Sequence, residues 1–396
     1  MAFGGEYRYD TWTEGAGEPD SYYGGGTQGS GGFAPQIAIR AHHSVEAGYV
    51  DLAFEPIQHL KADLAGRYES YSDSGGKPTG KVSLRYDFTP QVAIRGTVSS
   101  GFRAPSLPQE YTSSVAVTPN GDEGQLAVNS PGARLLGAKP LKPETSMNYS
   151  AGFVFRPVER MAITIDAYQI TIKNRIVVGG VYNGQPAINA YALEGLGTNV
   201  GVDPNAVSVQ YFTNGVDTRT RGLDVAFNYE TPFDGYKVNW TAGAHVGHTK
   251  ILRIGDDLNG NPLLNPQSAS FITTATPAYK ITAGANLTAG RWDINLHEIL
   301  WGPTKTLQQF NAGPNAFSET VFGVQHNHTK PQTDIQVSYD VSHNVTLSVG
   351  ANNLFDERPT KLPLIYSYAG VYKYDFYSEQ MNFNGGFYYA ALKLKF

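Results

Sequence analysis

KVSLRYDFTPQ, residues 81–91, decides how the rest of the chain is read. Val82, Leu84, Tyr86 and Phe88 alternate with Lys81, Ser83, Arg85 and Asp87, and the run stops at Thr89-Pro90-Gln91. Successive side chains of a strand point to opposite faces, so a period of two gives one apolar face and one polar face. The stretch predicts a two-faced strand that ends in a tight turn. Leu60, Ala62, Leu64 and Tyr68 interleave in the same way with Lys61, Asp63, Arg67 and Glu69. So do Leu223, Val225, Phe227 and Tyr229 with Asp224, Asn228 and Glu230, and Val345, Leu347, Val349 and Ala351 with Thr346, Ser348 and Asn352. Similar runs occupy roughly 145–156, 159–174, 237–252, 278–288, 291–301 and 331–341. No stretch shows sustained helical periodicity, so the chain reads as all-β.

The connections separate a soluble from a membrane architecture. Tight turns at 54–58, 89–91, 156–160, 231–236, 288–291 and 341–344 take turns with long connections near 14–43, 102–144, 175–206, 253–277, 302–330 and 356–384. Only the connection near 73–79 is short for its class. A soluble sandwich has no reason to sort its loops by parity, whereas a transmembrane barrel has short turns on one side and long loops on the other. The count is about fourteen strands, an even number that puts both ends on the short-turn side. Tyr86, Phe88, Phe153, Phe155, Phe227, Tyr229, Tyr339 and Phe396 lie near the tight-turn ends, where outward rings would form an interfacial girdle.

Composition agrees with this. Charged residues make up 16% of the 396, well below the roughly 25% of soluble domains. With no cysteine there is neither a disulfide framework nor a thiolate metal site. A net charge of −5 with no basic cluster argues against nucleic acid as a partner. No run of 18 apolar residues predicts a membrane helix, and Met1–Trp12 has neither the basic nor the apolar region of a signal peptide. Under the barrel reading, the start of the gene product is expected to lie outside this chain.

Four stretches resemble TonB-dependent outer-membrane receptors: GFRAPSLPQEY (101–111), LKPETSMNYSAGF (141–153), NGVDTRTRGLDVAFNY (214–229) and VGANNLFDERP (349–359). The closing FYYAALKLKF, ending in Phe396, resembles the insertion signal of outer-membrane barrels. The resemblance implies localisation in a Gram-negative outer membrane and a barrel of about 22 strands, of which this chain would be the C-terminal part. It also implies a plug that carries the TonB-engaging segment. Neither is found between Met1 and Phe396, so residues 1–396 are expected to be a partial barrel, and TonB would act only through the missing part. A plug-bearing companion, closure as a smaller barrel and a gene fragment all stay open.

Each motif also has a reading from its residues. Pro105 cannot donate to a ladder, so the strand must end there, and Arg103 is expected to face the lumen and pair with an acid or a carbonyl. Pro143, followed by Glu144, starts a strand, where its missing N–H costs nothing. Arg221 and Gly222 sit in the third motif; Asn353 and Phe355 lie near the upper rim, and Pro359 opens an exit loop. These residues are expected to stabilise the wall and its exits.

No nucleophile has a base beside it and no phosphate loop occurs, so neither an enzyme nor a cofactor is expected. His326 and His328 are weak metal candidates, as are Asp256 and Asp257 in GDDLNGNP, which also make an ordinary turn. His245 and His248, at odd spacing on a strand, face opposite sides. The candidate ligand site is the loop at 364–383, with Tyr366, Tyr368, Tyr372, Tyr374, Phe376 and Tyr377. Rings with polar tips suit a sugar or an aromatic siderophore. The expected function is energised uptake of a scarce small molecule or oligosaccharide across a lipid membrane. The alternatives are a passive pore and a soluble β-rich binding protein.

Overall fold

In the computed structural model, residues 81–87 lie in a strand, and the chain turns back at Thr89–Gln91 as their pattern requires. The structure describes all residues except 23–26, 29–32, 119–120, 199–202, 317, 319 and 396. Strands β1 (Ala2–Glu14), β2 (Ile39–Ile57), β3 (Leu60–Tyr71), β4 (Gly75–Asp87) and β5 (Val92–Arg103) form the first part of the wall. It continues through β6 (Glu144–Phe155), β7 (Met161–Asn183), β8 (Ser208–Phe233), β9 (Tyr236–Ile254) and β10 (Tyr279–Ala289). Strands β11 (Trp292–Trp301), β12 (Lys330–Ser342), β13 (Val345–Asn352) and β14 (Phe387–Leu394) complete it. Each pairs antiparallel with the next. Three short loop strands, at 27–28, 114–118 and 121–125, join this wall of fourteen to make a sheet of 17 strands among the described residues.

Register sorts the side chains as the alternation predicts. Leu64 faces Val82, and Val82 faces Val98, on one side of the sheet. These residues are exposed, as are Leu347 and Val349. The other side carries ion pairs: Lys81–Asp63 at 2.7 Å, Arg67–Glu6 at 2.8 Å, and Arg95 with both oxygens of Asp166. An exposed apolar face against a cross-linked polar face is the section of a wall between lipid and a wet lumen. Rings cluster at the tight-turn end: Tyr86 on Phe88 at 4.9 Å, Phe233 on Tyr236 at 4.6 Å and Trp292 on Tyr339 at 4.7 Å.

Two expectations need correction. The long connections are not free of helix: α1 (Leu107–Tyr111), α2 (Pro131–Leu135), α3 (Gln185–Leu193) and α4 (Pro266–Thr273) all lie in them. Each has Pro in its first turn, where the missing N–H is harmless, but five to nine residues are too few to show a helical period. The connection read as 175–206 is also shorter than expected, since β7 and β8 stay paired up to Asn183–Ser208. Irregularities between Ile172 and Arg175 and between Gly179 and Tyr182 carry the ladder there, and they break the alternation that would have revealed it.

The main cluster of buried apolar residues lies in the outer loops. Leu126, Val128, Ala133, Tyr191, Val209 and Tyr211 belong to it, drawn from the 114–128 segment, α2, α3 and the top of β8. Tyr211 stacks on Tyr182 with centroids 5.8 Å apart, and its hydroxyl donates to the Leu136 carbonyl at 3.0 Å. The long loops thus form a packed tier above the wall.

Candidate ligand-binding site in the outer loops

The aromatic segment 364–383 docks onto a hairpin formed by Thr304–Gln309 and Phe322–Asn327. Asp375, 3% exposed, is the fastening point. Its carboxylate accepts from Thr306 Oγ1, from Gln308 Nε2 at 2.9 Å and from Asn327 Nδ2 at 2.9 Å, and the Tyr377 N–H adds a fourth donor at 3.1 Å. A buried carboxylate is tolerated only when its lone pairs are filled in this way. Beside it, buried Gln380 donates to the Gly302 and His328 carbonyls, both at 2.7 Å, and Thr304 meets Ser378 at 2.7 Å.

This clasp fixes a run of rings. Tyr377 stacks on Phe271 of α4 at 3.9 Å, Phe376 lies 4.1 Å from Tyr377, and Tyr372 lies 4.9 Å from Phe376. Burial pushes the Tyr377 phenol above its ordinary pKa. Phe376 and Tyr372 remain 49% and 44% exposed. The run therefore has an anchored base and an open end. The structure brings three of the six selected aromatics together and leaves the others apart. Tyr366 packs on Phe310 at 5.3 Å and covers Gly323, where a Cβ would collide with its ring. Tyr368 is half-buried, and Tyr374 lies under the Lys373 ammonium at 5.5 Å. Sequence reading missed Phe271 and the clasp. Asp375, the one acid within YKYDFYS, was the available signal.

A cavity of about 340 Å³ opens beside α4, lined in part by Thr220, His245, Thr249, Ile272, Lys305 and His326. Another of about 480 Å³ touches Gly179, Asp257, Asn261, Leu263 and Asn265. His326 is paired with Lys305 across the hairpin, an unfavourable neighbour for a cation. The His328 N–H donates to Thr360. Asp257 Oδ1 accepts the N–H groups of Asn259 and Asn261, both at 2.8 Å, and Asp256 bridges to Pro262, so this pair builds a turn. Among the described residues, no three His, Asp or Glu side chains are grouped to hold a metal ion. His245 meets Asp224 at 2.6 Å on the lumen face, while His248 pairs with Arg221 on the opposite face.

The motif residues support the frame. Arg103 and Glu144 form a two-pronged pair (3.0 and 2.9 Å) that joins the first motif to the second, and Glu144 also accepts the Ile176 N–H at 2.7 Å. Strand β5 ends just before Pro105, and β6 begins just after Pro143. The Tyr168 ring lies on Gly222, leaving no room for a Cβ. Asn353, at φ +56°, closes the exit turn by bonding the Glu357 carbonyl and N–H at 2.7 and 2.9 Å. Phe355 is 69% exposed, and Phe396 lies outside the described residues. At the outer end of β1–β4, buried His43 meets Asp73 at 2.6 Å and Asp10 at 3.2 Å. Glu110 of α1 is buried close to Asp73. Burial, then the charge of Asp73, pushes its carboxyl up to about 8.

A family model described as TonB dependent receptor-like, beta-barrel matches residues 1–354. A probable TonB-dependent siderophore receptor PirA of Acinetobacter baumannii is 22% identical over 377 residues, 92% of this chain and 45% of that protein. An iron-regulated outer membrane virulence protein of Vibrio cholerae is 28% identical over 143 residues, 36% of this chain and 20% of that protein. Among solved structures, the ferric enterobactin receptor PfeA of Pseudomonas aeruginosa superposes with a TM-score of 0.66 at 15% identity, over 100% of this chain and 50% of its own. The siderophore receptor PirA of A. baumannii gives 0.65 at 19%, over 100% and 52%. The chain thus spans about half the length of these solved receptors, and at such identities the likeness shows the fold.

Proposed function

Because this chain belongs to the TonB-dependent receptor-like β-barrel family, we propose that it forms the wall and outer loops of an outer-membrane receptor whose loops capture an iron-carrying siderophore. Uptake would be driven through TonB, with the coupling made by a plug of the kind the family resemblance implies. The observation that carries the ligand reading is the ring run Phe271–Tyr377–Phe376–Tyr372, anchored at one end and open at the other. A fixed aromatic face binds flat aromatic chelates with little ordering cost, since its rotamers are already held. The names of similar proteins, a siderophore receptor PirA and a ferric enterobactin receptor, point the same way. The role is transport without chemistry on the ligand.

The test is uptake of radioactive iron carried by an aromatic siderophore, in iron-starved cells stripped of their own receptors and given this chain together with a plug-bearing companion. TonB-dependent uptake is expected, with binding about tenfold weaker in the Tyr372→Ala, Phe376→Ala double variant, equivalent to about 1.4 kcal/mol. Unchanged binding in that variant removes the ring site. Solute flux without TonB dependence favours a passive pore.

A further inference from the structure

Ladder register places a group of cations on the outward face of β7, β8 and β9. The outward rungs near the tight turns are apolar: Ile163, Phe227 and Ala242, then Ile165, Val225 and Ala244, then Ala167, Leu223 and Val246. The next rung is Gln169, Arg221 and His248, and above it come Thr171, Arg219 and Lys250. Lys173 follows on β7. Lys173, Arg221, His248 and Lys250 are exposed, and Arg219 is half-buried.

Among the described residues, Arg219, Arg221 and Lys250 have no anionic partner, and Lys173 is near Asp217 without a direct pair. Among the described residues, none of Lys173, Arg219, Arg221 and Lys250 lies in an ion pair, and Arg221 donates only to the neutral Gln169, at 2.7 Å. Asp217, the next carboxylate along β8, is already held by Arg253 at 3.0 Å and by the Asn174 N–H at 2.9 Å. Uncompensated like charges on adjacent rungs repel one another unless a counter-charge sits between them.

Height identifies that counter-charge. Tyr229, opposite Trp240, belongs to the ring belt near the tight turn. A strand rises about 3.3 Å per residue and is tilted about 40° in such barrels, which puts Arg221 roughly 20 Å and Arg219 roughly 25 Å above that belt. The apolar band of an outer-membrane barrel is about 25 Å tall, so the cations stand at its upper border. Groups at that border face lipid headgroups sideways.

We propose that this face docks a phosphate-bearing lipid of the outward leaflet, with its phosphates among Arg219, Arg221 and Lys250 and its acyl chains against Leu223 and Val246. The proposal rests on the outer-membrane reading above. Guanidinium groups bind phosphate in a two-pronged manner, and the apolar rungs directly below supply the seat for the chains.

The test is native mass spectrometry of the protein extracted from membranes in mild detergent, presented with a bis-phosphorylated glycolipid, the same glycolipid without phosphates, and inorganic phosphate. The phosphorylated lipid should be retained, and retention should fall at least tenfold in the Arg219→Gln, Arg221→Gln, Lys250→Gln variant. The dephosphorylated lipid should bind weakly to both forms, and inorganic phosphate should not displace the lipid. Equal retention by the folded variant overturns the site, and displacement by inorganic phosphate alone overturns the lipid as its occupant. Heat-dependent gel mobility reports the barrel separately: a protein without that shift loses the membrane reading and this site together. If the triple variant does not fold, the Arg219→Gln and Lys250→Gln single variants give the same comparison, and unchanged retention in both overturns the site.

Discussion

Glu110 places an ionisable group where α1 crosses to the outer ends of β1 and β2. Its carboxyl, 3% exposed and beside Asp73, has its pKa raised from 4.5 to about 8. A folded-state pKa above the unfolded value means the native state holds the extra proton. The associated stability is therefore complete below about 4.5 and is lost as pH rises through about 8. Protease cleavage within 104–143 is expected to speed up across that window, and Glu110→Gln should flatten the dependence. Four donors converge on the buried Asp375 carboxylate. Asp375→Ala would take the acceptor from Thr306 and one acceptor each from Gln308 and Asn327, which keep Thr306 and Thr304, and should cost about 1–3 kcal/mol of loop docking, read as faster hydrogen exchange over 364–383. At this scale the sequence was partly legible. Arg103 could be expected to find a partner because a lumen-facing cation needs one, and it finds Glu144 of the second motif. Phe271 could not be found, because nothing local in SASFIT pairs it with Tyr377, a residue far along the chain.

Strands show the sequence at its clearest, since period two leaves a mark at every residue. On β13, Leu347 and Val349 are exposed outward, while the Ser348 hydroxyl lies 2.9 Å from that of Ser338 on the other face. Leu347 lies opposite the belt ring Tyr339, with Val349 one outward rung above, so Leu347→Arg or Val349→Arg is expected to cost about 1 kcal/mol at this depth, with Ser348→Arg better tolerated. Equal losses for the two faces in a detergent or vesicle refolding assay would remove the assigned register. Helices were illegible for the converse reason: α1 and α2 each span five residues, little more than one turn. The upper parts of β7 and β8 were illegible because their irregularities shift the faces.

The molecule has two bodies with different chemistry, a wall whose apolar side faces outward and a loop tier whose apolar residues face inward. The wall was legible because its order is local and repeated. The tier was not, because Leu126, Tyr191 and Val209 meet only through folding across three separate segments. Tyr191→Ala would open the buried centre of the tier and should cost about 3–5 kcal/mol there. The loops should then become protease-labile while heat-dependent gel mobility of the wall persists. Joint loss of both would show that the tier and the wall fold as one unit.

The Asp375 clasp also bears on how such a protein could change what it captures. The residues that hold the loop (Asp375, Gln380, Thr306) are buried, whereas those at the open end of the ring run, Tyr372 and Phe376, are not. Inheritance can therefore alter the tip without disturbing its mount. In a randomised library selected for growth on a new iron carrier, replacements should accumulate at 372 and 376 while Asp375 is kept, and each lineage would change its diet without redesigning its architecture.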